Sequence, residues 1–314
     1  MMKAKIGYLL PTREQIMQGR NEAAPLLRLA EKAEDLGFDS VWAGDSLLAR
    51  PRHEPLTLLA AVAGRTRRVN IGTAVLVVPI RNPVLMAHQI ATLDQVSDGR
   101  VLIGVGAGID TPNVHAEFEA AGKTFEKRFG TMLEAVRLMR KLWTGEEVTW
   151  DGRWKVHGGK LAPKPVQPGG PPMWGGGSAP ASLSRAAKHF DGWFPTGPAD
   201  AALWGSKWES VKAEARGHGR NPDTMTGALY LTISVADNAE KAEENLMAYL
   251  NNYYGALGPK MRAGEACYSG PPEGTGRWLK GFIDAGASHL VLRFAGDHDR
   301  QMETVSKMRR ELGI

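Results

Sequence analysis

A chain of 314 residues has room for one large α/β domain or for two ordinary ones. Its 43% apolar and 23% charged content is that of an ordinary globular protein, and no apolar run approaches the roughly 20 residues of a membrane-spanning helix. One cysteine, Cys267, excludes an intramolecular disulfide, and a net charge of +5 without basic–aromatic interleaving favours anionic small molecules over nucleic acid.

The first strand is expected at KIGYLLP (5–11), followed by a helix over 21–37 that closes on Gly37. Then come DSVWAGD (39–45), a helix over 54–66, and RVNIGTAVLV (68–77). The basic cluster RTRR (65–68) sits where that helix ends, a place cations favour on dipole grounds. A helix over 82–97 leads to RVLIGVGAG (100–108), and another over 125–143 follows a long connection. PPMWGGG (171–177), DGWFPTG (191–197), ALYLTISVA (228–236) and SHLVLRFAG (288–296) complete eight strand candidates. Helices over 180–190, 199–215, 238–252 and 276–286 lie among them. Near-continuous apolar strands are what a parallel sheet buried on both faces requires. Eightfold β–α alternation predicts one (β/α)₈ TIM barrel domain over 1–314, since a doubly wound sheet would switch direction partway. No basic-then-apolar leader opens the sequence, so a cytoplasmic protein off the membrane is expected.

Three connections exceed what a barrel needs. The first follows the fourth strand, where Gly104, Gly106 and Gly108 suggest a dinucleotide fingerprint. That motif needs a glycine at the sixth place and a helix directly after. Ile109 stands there instead, and DTPNVH starts no clear helix, so the fingerprint fails. The second (144–170) carries an Asp151-Gly152 turn between two short β runs and reads as a hairpin. The third (253–274) is rich in glycine and proline, and residues 253–272 are the candidate lid. Barrel enzymes build their sites from loops after strand C-termini, which places the first and third at the catalytic face.

With these elements in place, the chain resembles the luciferase-like family of flavin and deazaflavin oxidoreductases along nearly its whole length. The segment GTAVLVVPIRNPVLMAHQIATLDQVSDGRVLIGVGAG (72–108) carries the resemblance, together with GFDSVWAGD, RFGTMLEAVRLMRKLWTGE and GWFP. It implies a barrel, commonly dimeric, that binds coenzyme F420 or FMN at its C-terminal mouth. Hydride transfer between F420 and a small-molecule substrate is the preferred expectation. One alternative is a two-component monooxygenase that uses O₂ and reduced FMN from a separate flavin reductase. Another is a non-catalytic flavin-binding protein on the same fold. A Schiff-base barrel enzyme is disfavoured because none of the eight strands ends in lysine.

The resemblance also assigns residues. A non-prolyl cis peptide is implied at Ala74–Val75, forming with Thr73 a bulge beneath the cofactor ring. Gly106 and Ala107 end the fourth strand and are kept small for the ring's approach. Alanine at 107, where FMN enzymes of the family often carry a phosphate-gripping arginine, favours F420. Gly175, Gly176, Gly177 and Ser178 precede a helix start and are expected to seat the cofactor phosphate; a plain capped turn is the other reading. Asp45 and Ser46, ending the second strand, are expected to orient the substrate; for Asp45 the other reading is a cap of the following turn. Ser46 stands where the resemblance places the catalytic histidine of luciferases and sugar-oxidising deazaflavin dehydrogenases, and it is a poor base by itself. Tyr8 is expected to line the cofactor pocket. Arg293 is expected either to hold an anionic substrate or to pair with Asp297 at the rim. The eight histidines show no H-x-x-x-H spacing, so no metal is expected.

Overall fold

Strand and helix alternate from the first described segment of the chain. The computed structural model describes residues 3–313. β1 (Lys5–Leu9) leads to α1 (Thr12–Met17) and α2 (Ala24–Asp35), and β2 (Ser40–Ala43) to α3 (Pro55–Arg65). β3 (Asn70–Val77) leads to α4 (Pro83–Val96), and β4 (Val101–Gly106) to α5 (Pro112–Ala120) and α6 (Arg128–Leu142). The hairpin β5 (Glu147–Asp151) and β6 (Lys155–Lys160) is inserted before β7 (Met173–Gly175) and α7 (Pro180–His189). β8 (Gly192–Trp193) and α8 (Ala201–Gly217) precede β9 (Thr226–Val235), α9 (Ala239–Tyr254) and α10 (Gly258–Gly264). β10 (Cys267–Gly270), α11 (Pro272–Asp284), β11 (His289–Phe294) and α12 (His298–Leu312) end the chain.

The hydrogen-bonded order is β10-β9-β11-β1-β2-β3-β4-β7-β8, and β8 also pairs with β9, which closes the ring. Eight of these strands, all paired in parallel, make the expected (β/α)₈ barrel. Side chains alternate across its wall, as the period of a strand requires. Leu9, Trp42, Leu102, Trp174, Phe194 and Val291 fill the interior, while Ile6, Tyr8, Val41 and Ile71 face the helices. Gly37 and Gly286 end their helices with φ of +82° and +99°, the left-handed closure that admits glycine without a Cβ penalty. Asn82 caps α4, accepting from the N–H groups of Val84 (2.9 Å) and Leu85 (3.3 Å), with Pro83 in the first turn.

Three expectations need correction. DTPNVH does start a helix: Pro112 is the first residue of α5, where its missing N–H has no partner to lose. The glycine- and proline-rich insertion hides β10, which pairs in parallel with β9 from Cys267↔Thr232 to Gly270↔Val235. Residues 267–270 are thus anchored in the sheet, and 258–264 are helical, so 253–272 is no open lid. Finally, α12 was not anticipated, because its sequence is strongly charged. Met302, Val305 and Met308 nonetheless recur on one face and are buried, and the Asp297 carboxylate caps its first turn. Among the described residues, no helix is long and apolar enough to cross a membrane.

Candidate active site

The floor of the barrel mouth is built where β3 meets β4. The Ala74–Val75 peptide is cis, as the resemblance implied, and the β3–β4 register shifts between Thr73 and Leu76. Thr73 is fully buried and its hydroxyl donates to the Gly104 carbonyl (2.9 Å), so it braces the bulge rather than facing a ligand. A Cβ on Gly104 would stand 2.3 Å from the Thr73 carbonyl oxygen, and one on Gly106 2.7 Å from Val75 Cγ2. The small residues of β4 are therefore demanded first by the protein's own bulge. Gly176 differs: its Cβ would meet only ordinary contacts, at 3.4 Å or more. Ala74, Val75, Gly106 and Gly176 come together as a low, side-chain-poor surface. Ala107 does not join them; it is buried in the helix-facing core.

The glycine turn after β7 divides in the same way. Gly175 is small because Phe190 lies behind it; a Cβ at 175 would stand 2.4 Å from the ring. Gly177 has φ of +94° and abuts the Ser182 hydroxyl. The Ser178 hydroxyl donates to the Gly197 carbonyl (3.1 Å) and does not cap α7, whose N-cap is Ala179. Cations gather beside this turn. Lys207 Nζ donates to the Ser178 carbonyl (3.4 Å), and Arg185 donates to the Ser182 hydroxyl (3.0 Å). Arg185 and Arg128 both lie over the Phe129 ring, at 4.1 and 4.6 Å. Burial, and then the neighbouring Arg128 charge, lower the Arg185 pKa from its usual value. A helix amino end with cations and no carboxylate among these contacts suits an anion.

Asp45 and Ser46 are not poised for substrate. The Asp45 side chain is 2% exposed and holds Arg81 in a bidentate pair (2.6 and 2.8 Å). It also accepts from the Val77 N–H (2.7 Å), which ties the loop after β2 to the end of β3. The Ser46 hydroxyl donates to Glu117 (3.0 Å) and accepts from the Arg50 N–H (2.9 Å). Glu117, buried on α5, also accepts from the N–H groups of Leu47 (2.5 Å) and Ala49 (3.0 Å), and so moulds this loop. Sequence reasoning missed Glu117 because α5 itself was missed. Ser46→Ala removes two hydrogen bonds of such a network, at about 1 kcal/mol each, so turnover is expected to stay within about thirtyfold of wild type. A loss of a hundredfold in kcat would instead return Ser46 to the chemistry.

Tyr8 lies on the outer wall. It packs on Phe38 and Phe294, and its hydroxyl meets His298 Nδ1 at 2.8 Å. Odd-numbered residues of β1 face the interior, so Tyr8 is on the wrong side for a cofactor pocket. Arg293 does enter the barrel, but each of its three nitrogens already donates to a neighbour. Nε goes to Thr232 (2.9 Å), Nη1 to Tyr254 (3.1 Å) and Nη2 to Glu265 (2.6 Å), not to Asp297. The rings of Tyr230, Tyr249, Tyr253 and Tyr254 surround the guanidinium at 5.0–5.6 Å. A cleft of about 650 Å³ is lined by Tyr249 and Tyr253 together with Glu14, Gln15 and Arg28, among others.

The side chain that reaches the floor was not among the expected ones. Arg52, in the loop between β2 and α3, lies against Gly44, where a Cβ would stand 2.3 Å from Nη1 and 3.6 Å from the Ala74 carbonyl oxygen. Its Nη2 donates to Tyr253 (3.2 Å). Its loop was legible as mouth-facing from the barrel rule; the direction of the side chain was not. Among the described residues, no cluster of three His, Cys, Asp or Glu side chains is placed to hold a metal ion.

The sequence matches the family described as luciferase-like monooxygenase over residues 2–314. It is 30% identical over 304 residues to an F420-dependent glucose-6-phosphate dehydrogenase of Amycolatopsis mediterranei, covering 88% of this chain and 90% of that one. A protein of the same description from Gordonia bronchialis is 33% identical over 228 residues, 70% of this chain and 67% of the other. Among solved structures, an F420-dependent secondary alcohol dehydrogenase in complex with an F420-acetone adduct superposes with a TM-score of 0.84. That alignment has 23% identity and covers 99% of each chain. A long-chain alkane monooxygenase also gives 0.84, at 17% identity, over 100% of this chain and 92% of that one. The two structural likenesses are likenesses of fold.

Proposed function

The chain belongs to the luciferase-like monooxygenase family, and on that premise we propose that it is an F420-dependent oxidoreductase passing a hydride between coenzyme F420 and a small organic substrate. The observation that carries the reading is the low floor of Ala74, Val75, Gly106 and Gly176, where Gly176 leaves a space that a side chain would fill. Dehydrogenases named for F420 among the relatives support this choice of cofactor. Bound F420 supplies a planar ring that gives or takes a hydride at C5. The protein's part is to hold and orient. Ala74, Val75, Gly106 and Gly176 would seat the ring. The backbone of Gly177 and Ser178, with the amino end of α7, would take the phosphate. We take residues 1–314 as one domain. A separate reductase supplying reduced cofactor and a homodimeric assembly belong to the same reading, on the strength of the family likeness.

Side-by-side equilibrium binding of F420 and FMN, each oxidised and reduced, tests the proposal through fluorescence quenching. Micromolar binding of F420 with FMN at least about tenfold weaker is the expected result. Tighter binding of reduced FMN would overturn it in favour of oxygen chemistry. The cradle is tested by Gly176→Leu. Because the backbone there tolerates a Cβ, the variant is expected to fold, while its side chain displaces the ring and weakens F420 by about thirtyfold or more. Unchanged F420 affinity in a folded Gly176→Leu protein would place the ring elsewhere.

A further inference from the structure

We propose that Arg52, assisted by Arg13, is the seat of an oxyanion carried by the substrate, either a phosphate monoester or a carboxylate. The inference rests on reading the barrel mouth as the redox site. Its own evidence is an imbalance of charge. Two other guanidinium groups at this end of the barrel are matched: Arg293 has Glu265 at 2.6 Å and Arg81 has Asp45 at 2.6 Å. Arg52 has no such partner. Its Nε donates to the Arg50 carbonyl (3.1 Å) and its Nη2 to the Tyr253 hydroxyl (3.2 Å), both neutral oxygens. Among the described residues, no carboxylate lies within ion-pair distance of Arg52 or Arg13.

Arg13 approaches the same tyrosine from another side. Its guanidinium stands 4.2 Å over the Tyr253 ring, and its Nη1 is a buried donor with no acceptor. The carboxylate next to it, Glu14, accepts from the Tyr249 hydroxyl at 2.5 Å. A third guanidinium, Arg50, lies 5.1 Å over the Tyr254 ring. A cation removed from water without an anion is costly, so such sites are completed by a charged ligand. The planar fork of arginine fits phosphate and carboxylate oxygens alike.

Position decides which reactant supplies the anion. Arg52 follows β2, three strands around the barrel from β7, whose glycine turn is the cofactor-phosphate site. Both its guanidinium and the Ala74 carbonyl of the floor neighbour Gly44. An anion held there therefore belongs to the molecule placed against the ring, not to the cofactor's phosphate.

Calorimetric titration of inorganic phosphate and of acetate into wild type, Arg52→Gln and Arg52→Lys tests this, first without F420 and then with F420 saturating. Wild type is expected to bind one of the two anions saturably below about 50 mM. Arg52→Gln should weaken that binding about tenfold or more in both conditions, with Arg52→Lys intermediate because it keeps the charge but loses the fork. Phosphate binding more tightly assigns a monoester; acetate binding more tightly assigns a carboxylate. If Arg52→Gln proves unfolded by circular dichroism, Arg52→Lys and Arg13→Gln carry the comparison. Absence of saturable binding in wild type, or equal binding in the folded variants, overturns the proposal. Phosphate that binds only without F420 and ignores Arg52 reports the turn after β7 and overturns it as well. Failure of F420 to bind would sink the preceding reading, while the Arg52 comparison in the cofactor-free protein would still stand.

Discussion

Glu265→Ala is expected to destabilise the fold by about 3–5 kcal/mol, because it leaves the Arg293 charge buried and unpaired. The Arg293 side chain is 2% exposed and that of Glu265 10%, and they meet at 2.6 Å. Four elements meet at this contact: β11 supplies the arginine, the segment entering β10 the glutamate, α9 Tyr249, Tyr253 and Tyr254, and β9 Tyr230 and Thr232. Tyr254 donates to Glu265 Oε1 (2.7 Å) and accepts from Arg293 (3.1 Å), so both charges stay hydrogen-bonded. Urea unfolding monitored by tryptophan fluorescence reads the loss as a lower midpoint at unchanged slope. The paired replacement Arg293→Met with Glu265→Leu should recover much of it, since neither charge is then buried. A Glu265→Ala midpoint within experimental error of wild type would mean that water already reaches the pair.

The second large effect is a pH dependence set at the base of the barrel. Trp42 Nε1 donates to Ser40 Oγ (2.7 Å), and Ser40 Oγ meets Nε2 of His289 at 2.7 Å. The serine hydroxyl thus bridges the indole and the imidazole, accepting from the first and hydrogen-bonded to the second. Burial, reinforced by the Lys5 and Arg309 charges, pushes the His289 pKa down to about 3 from the usual 6.5. Below pH 6.5 the unfolded chain therefore takes up a proton that the folded chain refuses. Stability falls from about pH 6.5 toward pH 3, with a slope of order 1 kcal/mol per pH unit from this residue, and levels off below. His289→Gln removes that share of the slope, whatever it does to stability at neutral pH. Equal slopes for wild type and variant between pH 6 and 4 would show that His289 is protonated in the folded protein.

Much of the architecture was legible in the sequence because its signals are local. All eight barrel strands were identified, since parallel strands buried on both faces must be apolar throughout. Helix ends at Gly37 and Gly286 were marked by the residue that admits a left-handed backbone. The elements that escaped lacked such signals. β10 is four residues inside a glycine-rich stretch, and only the open edge of β9 makes it a strand. α12 reads as a charged segment, and its buried Met302, Val305 and Met308 gain meaning only from the barrel wall they cover.

The sequence by itself determined the barrel, the family resemblance and the loops that face the mouth; the cis peptide at Ala74–Val75 came only through the resemblance, since its residues alone read as a plain buried strand. Tertiary structure alone decided what each polar side chain does there. Asp45, Ser46 and Arg293 look like free functional groups until Arg81, Glu117 and Glu265 are seen to occupy them. Arg52 looks like an ordinary loop residue until it is found half-buried with only neutral oxygens as partners. The reason is physical. A strand or helix is specified by periodicities a few residues long, whereas the availability of a charge depends on partners dozens to hundreds of residues away.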